Sequence, residues 1–214
     1  MPKRIFIRDG GLTSSVPTPT GYTVIGSDNG TPKKQIQSTI SNLGGFTHYI
    51  GEEYGGGIIY YLWMEQDGEH GLIVDTTDLS YSKSWSNITN AQNGATSSYN
   101  GLGNSNTIVS QFGHTDSAAK LCLDSTKNGY TDWYLPSIEE LRLIYGCVFH
   151  LNKKLEELGG DVFLVNWIGT PNSFDYLSST EYNNINFMYH SFYDGSGGAI
   201  NKAYTFRVRA IRKF

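Results

Sequence analysis

The chain has 214 residues, of which 14% are aromatic and 17% are charged. That length can hold one sizeable core with an appendage, but it leaves little room for two independent domains. The aromatic content excludes a disordered chain, and the formal net charge of −4 argues against a nucleic-acid binder. No apolar run is long enough to cross a bilayer, and the first residues lack the apolar core of a signal peptide, so we expect neither membrane insertion nor ordinary secretion.

Residues 1–45 differ from the rest of the chain in charge and in local pattern. They carry five basic and two acidic residues, a net charge of +3, which leaves −7 for residues 46–214. Glycine and proline interrupt short strand-like runs, and Asp28-Asn29-Gly30 is a tight-turn signal. Such pieces cannot close a core alone, so we predict an extended attachment arm that a partner chain holds. The residues expected to make that contact are Arg4, Phe6, Arg8, Tyr22, Lys33 and Lys34.

From Phe46 onward the chain is expected to form one domain. Apolar strands at 58–63 and 71–74 are separated by a turn signal and predict a β-hairpin. Residues 76–107 are dominated by asparagine, serine, threonine and glycine, which predicts a long surface loop, and such loops are often functional.

Two helices are predicted in the middle of the domain. The first spans 117–127, with Asp116 as its cap. The second begins at a capping box, in which the Ser137 hydroxyl and the Glu140 carboxylate each accept a hydrogen bond from the amide of the other residue. Apolar residues then recur at three- and four-residue steps as far as Leu158, and the glycines that follow end the helix.

The chain ends in a predicted strand over 203–213. There Tyr204, Phe206 and Val208 alternate with polar residues, a pattern typical of a half-buried strand. The order of a hairpin, two helices and further strands indicates an α+β fold, with the two helices packed on antiparallel strands and with long loops between elements.

The sequence offers no pattern that predicts catalysis, a cofactor or a metal site. The five histidines lack metal-ligand spacing, and the motifs of phosphate loops, nucleophile elbows and paired glycosidase carboxylates are missing from the sequence. Cys122 and Cys147 lack the spacing of a redox or zinc site, so two buried free thiols are favoured over a disulfide. We therefore predict a protein that is not an enzyme.

A polar and aromatic stretch at 182–194 is the predicted binding face. Rigid rings give contact area at low entropic cost, and neighbouring amides fix the orientation of a ligand. An alternative stays open for the alternating rings Phe187 and Tyr189, which would then face the core of a strand. If Tyr182 and Tyr193 also belong to the scaffold, 76–107 is the next candidate face. The residues expected to bind are Tyr182, Asn183, Asn184, Asn186, Tyr189, His190, Phe192, Tyr193 and Asp194.

The most distinctive motif of the chain is NGYTDWYLPSIEEL at 128–141. It is accompanied by YGGGIIYYL at 54–62, EHGLI at 69–73, LSSTEY at 177–182 and RVRAIR at 207–212. Together these motifs resemble the C-terminal domain of bacterial collagen-like (Lcl) adhesins, a domain found in bacterial surface proteins and phage genomes. The resemblance implies a C-type-lectin-like domain over 46–214, with its exposed face at 181–202 and the last motif as scaffold. Calcium-dependent sugar binding is not expected, because the sequence has no Glu-Pro-Asn-type motif.

The resemblance and the arm together imply a phage virion protein: a head fibre, a decoration protein or a tail adhesin. Residues 1–45 look like the attachment segments of phage fibres and would dock on capsid or tail proteins, while the lectin-like domain would bind a glycan or protein of the host surface. A homo-oligomer in the virion, with a trimer favoured, is expected. One alternative is a bacterial surface or secreted adhesin. The other is an enzyme similar to the formylglycine generator, which needs reactive cysteines in the late loops, whereas Cys122 and Cys147 precede those loops.

Overall fold

The computed structural model describes residues 27–28, 31–32, 45–163 and 174–214. The chain divides into two compact units, Met1–Gly45 and Phe46–Phe214. In the first unit, β1 (Ser27–Asp28) pairs antiparallel with β2 (Thr31–Pro32), on either side of the predicted tight turn. The predicted attachment residues Arg4, Phe6, Arg8, Tyr22, Lys33 and Lys34 lie outside the described residues.

The second unit contains helices and mainly antiparallel strands, which confirms the α+β class. Its described residues hold four α-helices, where the sequence predicts two. In this described part no helix has both the length and the apolar character needed to cross a bilayer. The helices are α1 (Gly101–Ser110), α2 (Ala118–Leu123), α3 (Ile138–Gly146) and α4 (Val148–Leu158). The strands are β3 (Glu53–Tyr54), β4 (Gly57–Glu65), β5 (Gly68–Val74), β6 (Ser80–Ser84), β7 (Asp175–Glu181), β8 (Asn186–Ser191), β9 (Gly197–Asn201), β10 (Thr205–Val208) and β11 (Ile211–Lys213).

These strands form two sheets. The four-stranded sheet has the order β11-β5-β4-β3, and all its neighbours are antiparallel. The predicted hairpin is β4 and β5 of this sheet and is confirmed. The five-stranded sheet has the order β6-β10-β7-β8-β9, in which β10 and β7 are parallel and the other neighbours are antiparallel.

Two clusters of buried apolar side chains lie on opposite faces of β4. Ile59 belongs to the cluster that contains Trp85 and Trp133, whereas its neighbours Ile58 and Tyr60 belong to the other. Successive side chains of a strand point to opposite faces, so the start of β4 is buried on both sides. That is why its sequence is continuously apolar instead of alternating.

The capping box is confirmed at the start of α3. The Ser137 amide donates to Glu140 Oε2 at 2.7 Å, and the Glu140 amide donates to the Ser137 hydroxyl at 3.5 Å. The predicted end is also confirmed, because α4 stops at Gly159, whose φ of 67° lies in the left-handed region that glycine adopts readily.

The prediction of one continuous helix between these ends is wrong. The helix breaks at Cys147, which has φ −108° and ψ 7°, and α3 and α4 lie on either side of it. At the break the Cys147 thiol donates to the carbonyl of Tyr60 at 3.2 Å. Gly146 precedes the break, and a glycine weakens a helix there because of its backbone entropy.

The first predicted helix is shorter than expected, and its cap is a different residue. It corresponds to α2, which ends at Leu123. The cap is Ser117 instead of Asp116, since the Ser117 hydroxyl accepts the Lys120 amide at 2.9 Å. Asp116 forms an ion pair with Lys83 at 2.6 Å instead.

The segment 76–107, predicted as a loop, contains the strand β6 and the start of α1. Buried polar side chains explain how so polar a sequence becomes helical: Asn104 donates to the Ser97 carbonyl at 2.7 Å and Ser105 to the Leu135 carbonyl at 3.3 Å. The predicted closing strand 203–213 is likewise two strands, because β10 and β11 belong to different sheets.

Candidate functional site

The predicted binding face at 182–194 is a strand between two turns. β8 occupies Asn186–Ser191, so the stretch is not an open loop. Six residues of antiparallel strand extend roughly 20 Å, and Tyr182 and Tyr193 lie beyond its opposite ends. The exposed parts of the stretch therefore do not form one continuous contact surface.

Two predicted binding residues belong to the interior. Phe192 is fully buried and stacks on Phe163, with 4.8 Å between ring centroids. His190 is 3% exposed and packs edge-on against Tyr145 at 5.1 Å. The prediction that Phe192 and His190 contact a ligand is wrong, because neither side chain reaches the surface.

The alternating rings of β8, Phe187 and Tyr189, face the core, as the alternative prediction for this stretch expects. Phe187 is fully buried, and Tyr189 is half-buried against Phe206 at 5.2 Å. β8 therefore contributes core contacts along most of its length.

Two further predicted residues shape turns. The Asn183 side-chain oxygen accepts the Asn186 amide at 2.9 Å, and an Asp194 carboxylate oxygen accepts the Ser196 amide at 2.9 Å. The exposed members of the predicted set are Tyr182, Asn184, Tyr193 and Asp194, and Asn183 and Asn186 are half-buried.

A groove with a volume of about 950 Å³ lies where β4 and β11 face the start of α1 and the outer side of α3. Binding sites for small molecules commonly have volumes of this size. The rings of Tyr61, Trp63 and Tyr99 line it, and Tyr99 is 78% exposed. We call this site the aromatic groove. Its lining residues are Tyr61, Trp63, Leu72, Tyr99, Asn100, Leu102, Tyr134, Glu139, Glu140, Arg142, Leu143 and Lys213.

A second cavity, of about 340 Å³, shares Glu139 and Arg142 with the aromatic groove. We call it the polar cleft. Tyr182, one of the predicted binding residues, lines it. Thr96 and Ser98 also line it and belong to the segment 76–107, which is the next predicted binding face. Its lining residues are Thr96, Ser98, Ile138, Glu139, Arg142, Thr180, Glu181, Tyr182 and Met188.

A β-bulge in β4 turns Tyr61 and Trp63 toward the groove. The pairing advances two residues on β4, from Ile59 to Tyr61, against one residue on β5. An extra residue reverses the facing of every later side chain. Trp63 therefore packs on the same core cluster as Tyr60, and simple alternation would have placed it on the opposite face. Both rings lie in the predicted apolar strand 58–63, but the bulge leaves no local sequence signal that would show which face they take.

The Trp63 ring is held in place from several sides. Its indole nitrogen donates to Glu65 at 2.6 Å, and its ring stacks with His70 at 5.7 Å. The Lys213 ammonium lies 4.9 Å from the ring centroid. Tyr61 lies beside it, with 5.9 Å between ring centroids. Rings fixed in this way lose little entropy when a ligand packs on them.

The facing wall of the groove is positioned by helix caps. The Asn100 side chain accepts the Gly103 amide at 2.8 Å and starts α1, which places Tyr99 just before the helix. The Gly101 amide donates to Glu140 Oε2 at 3.1 Å, which ties α1 to the start of α3. The Glu139 amide donates to the Ser98 carbonyl at 3.1 Å and fixes the segment between the two cavities.

Glu140 lies at the floor of the groove, and burial raises the pKa of its carboxyl group. Both oxygens are engaged: Oε2 accepts the Ser137 amide at 2.7 Å, and Oε1 accepts the Tyr134 hydroxyl at 3.1 Å. A raised pKa can indicate an acid catalyst, but the engaged oxygens of Glu140 serve the capping of α3.

The ionisable side chains of the aromatic groove balance one another. Glu139 and Glu140 stand against Arg142 and Lys213, so the lining has no net formal charge. Arg142 and Glu139 form an ion pair on α3 between the two cavities. The site therefore lacks the excess charge that selects a charged partner.

Within the described residues, Glu65, Asp67 and His70 bring potential metal ligands within 4.8 Å of one another at the β4–β5 turn. Glu65 Oε1, Asp67 Oδ1 and both ring nitrogens of His70 already have hydrogen-bond partners. Asp67 accepts from His70 at 2.8 Å, and that hydrogen bond lowers the pKa of the carboxyl group and raises the pKa of the imidazole. The sequence shows no metal-ligand spacing here, and the three side chains meet only because the hairpin turns between them.

The prediction of two free thiols is confirmed. Cys122 is buried and Cys147 is half-buried. Burial raises the pKa of both thiols, which disfavours the reactive thiolate.

Comparison with known proteins gives a likeness of fold. No protein-family model and no curated protein matches the chain. A fimbrial protein from Bacteroides ovatus, solved by crystallography, superposes with a TM-score of 0.53 at 18% identity. The match covers 67% of this chain and 36% of that protein, so the chain spans little more than a third of its length. At this identity the likeness concerns the fold.

Proposed function

We propose that this chain is a non-enzymatic, adhesin-like binding protein whose Phe46–Phe214 unit binds a neutral carbohydrate of a cell surface in the aromatic groove. One observation carries the proposal: Tyr61, Trp63 and Tyr99 line one groove whose ionisable side chains cancel in charge.

The chemistry of the groove suits a sugar. The electron-rich faces of aromatic rings attract the C–H groups on the face of a sugar ring. The paired side chains of Arg142 and Glu139 at the rim offer donors and acceptors for hydroxyl groups. A nucleic acid would need a lining with excess positive charge, which this groove does not have.

The C-type-lectin-like fold and the Lcl-type family are part of this proposal. The motifs that carry the resemblance support it by meeting in one network. Arg212 donates to both carboxylate oxygens of Asp132, at 2.7 and 2.8 Å, and to the Gly55 carbonyl at 2.9 Å. The three residues come from three separate motifs. The fimbrial neighbour adds support for an adhesin-like role at the level of fold.

We also infer that Met1–Gly45 attaches the binding unit to a larger assembly, in keeping with the expected phage fibre, decoration protein or tail adhesin. Its net charge of +3 against −7 elsewhere supports this role, and the division of the chain into two units falls at the same boundary. The partner would be a capsid or tail protein, and the display unit a homo-oligomer such as a trimer. Mass spectrometry of purified particles and of washed cell envelopes separates the two settings: enrichment in particles is expected, and enrichment in envelopes alone supports the bacterial surface adhesin.

A neutral-glycan array tests the binding function. The full-length chain should bind one or more neutral glycans, and Trp63→Ala should lower that binding by about tenfold or more, as is typical of an aromatic anchor. Equal binding by the wild type and Trp63→Ala, with folding intact by circular dichroism, would show that the groove is not the site.

A further inference from the structure

The aromatic groove and the polar cleft adjoin each other. They share Glu139 and Arg142, and the segment 96–100 borders both, with Thr96 and Ser98 in the cleft and Tyr99 in the groove. One ligand that follows this segment would meet both cavities.

The two cavities offer different chemistry. The groove supplies four aromatic side chains, of which Tyr134 is buried, whereas the cleft supplies hydroxyl groups and a single ring, Tyr182. The hydroxyls of Thr96, Ser98 and Tyr182 are engaged by no other group in the described part of the chain, so they are available to a ligand. Tyr182 is 61% exposed and lines the cleft from the turn between β7 and β8.

Each cavity has room for part of a chain-like ligand. Sites of about 300 Å³ upward hold small molecules, and the cavities measure about 340 and 950 Å³. The Arg142–Glu139 ion pair stands where the two meet. A short sugar that fills the groove leaves the cleft vacant, whereas a longer one gains the contacts of Tyr182.

We infer that the site recognises a neutral polysaccharide chain that occupies both cavities at once, with the aromatic groove as the primary subsite and the polar cleft as an extension. This inference rests on the proposed carbohydrate-binding function and names its ligand class. Affinity then rises with chain length, and Tyr182 acts only on ligands long enough to reach the cleft.

Calorimetric titration of the full-length chain with cello-, malto- and laminari-oligosaccharides, from disaccharides to octasaccharides, tests the inference. Affinity in at least one series should rise by about tenfold or more with length and then level off. Tyr182→Ala should remove that rise and leave disaccharide binding unchanged. Trp63→Ala should weaken every length. Tyr204→Ala is the matched control, since this tyrosine is 52% exposed and lies outside both cavities.

The outcomes separate the inference from the function on which it rests. A flat length series in which Trp63→Ala still abolishes binding overturns the extended site and leaves the groove as a binding site. Equal losses by Tyr182→Ala at all lengths overturn it as well. If no oligosaccharide of any length binds, the neutral-carbohydrate function and the inference both fail.

Discussion

The Glu181 carboxylate and the Lys202 ammonium form a fully buried ion pair, 2.5 Å apart. Lys202 also donates to the carbonyls of Ala91 at 3.0 Å and Asn184 at 3.1 Å, and it lies over the Trp85 ring. All three ammonium hydrogens therefore have acceptors, which is the condition for burying a charge at tolerable cost. The pair ties the polar 91–94 segment to the turn between β7 and β8.

Lys202→Met should lower the free energy of unfolding by about 3–5 kcal/mol, because it leaves the Glu181 carboxylate buried without its counter-ion. The double variant Lys202→Met with Glu181→Gln should regain much of that loss. Urea denaturation monitored by tryptophan fluorescence measures both. If the free energy of unfolding of Lys202→Met lies within 1 kcal/mol of the wild-type value, the ion pair does not hold the 91–94 segment in place.

His190 gives the fold a dependence on acid. Burial, with a further contribution from the positive charge of Arg142, lowers the pKa of His190 to about 4, while Asp194 and Glu139 act in the opposite direction. Its ring nitrogens are buried without a hydrogen-bond partner among the described residues. Because the folded pKa lies below the unfolded value of 6.5, the unfolded state binds the proton first, and stability falls as the pH drops from 6.5 to about 4.

Replacement of this ring isolates the effect. The wild type should lose about 3 kcal/mol more than His190→Phe between neutral pH and pH 4, after allowance for carboxylates that titrate in both proteins. Chemical denaturation at a series of pH values gives the difference. Parallel pH profiles for the two proteins would mean that His190 does not titrate differently in the folded state.

At the scale of elements, the sequence predicted regular helices and strands, but it did not predict the places where they are interrupted. The capping box of α3 and the β4–β5 hairpin are local, and the sequence identifies both. The bulge in β4 is not local: it depends on how β5 pairs, and it decides that Tyr61 and Trp63 face the groove. The helix α1 was not predictable for the same reason. Its sequence is polar, and it becomes helical through hydrogen bonds of Asn104 and Ser105 to residues far away in the sequence.

Two glycines at element ends should respond to alanine in opposite directions. A Cβ on Gly57 would lie 2.2 Å from the carbonyl oxygen of Val74 on the paired strand, so Gly57→Ala should destabilise the fold by about 2 kcal/mol or more. A Cβ on Gly146 meets nothing within 4 Å, so Gly146→Ala should stabilise by about 0.5–1 kcal/mol. Thermal melts of the two variants give the comparison. Similar melting temperatures would contradict the close packing of β4 on β5.

At the scale of the whole molecule, the site is made of residues that are far apart in the sequence. Tyr61 and Trp63 come from β4, Tyr99 precedes α1, Leu143 belongs to α3 and Lys213 to β11. A binding stretch sought in consecutive residues therefore fell on 182–194, which has β8 at its centre and contains only two residues of the polar cleft, Tyr182 and Met188. The change of charge after residue 45, in contrast, is a property of composition and is visible without a structure.

Adsorption to carbohydrate-bearing cells by two single variants tests the aromatic groove most directly. Trp63 lines the groove, whereas Tyr193 is exposed at the far end of β8 and lies outside both cavities. Trp63→Ala should reduce adsorption by about tenfold or more in a protein that circular dichroism shows to be folded, and Tyr193→Ala should adsorb like the wild type. Loss of adsorption in Tyr193→Ala together with full adsorption by Trp63→Ala would contradict the account and move the binding face to the β8–β9 turn.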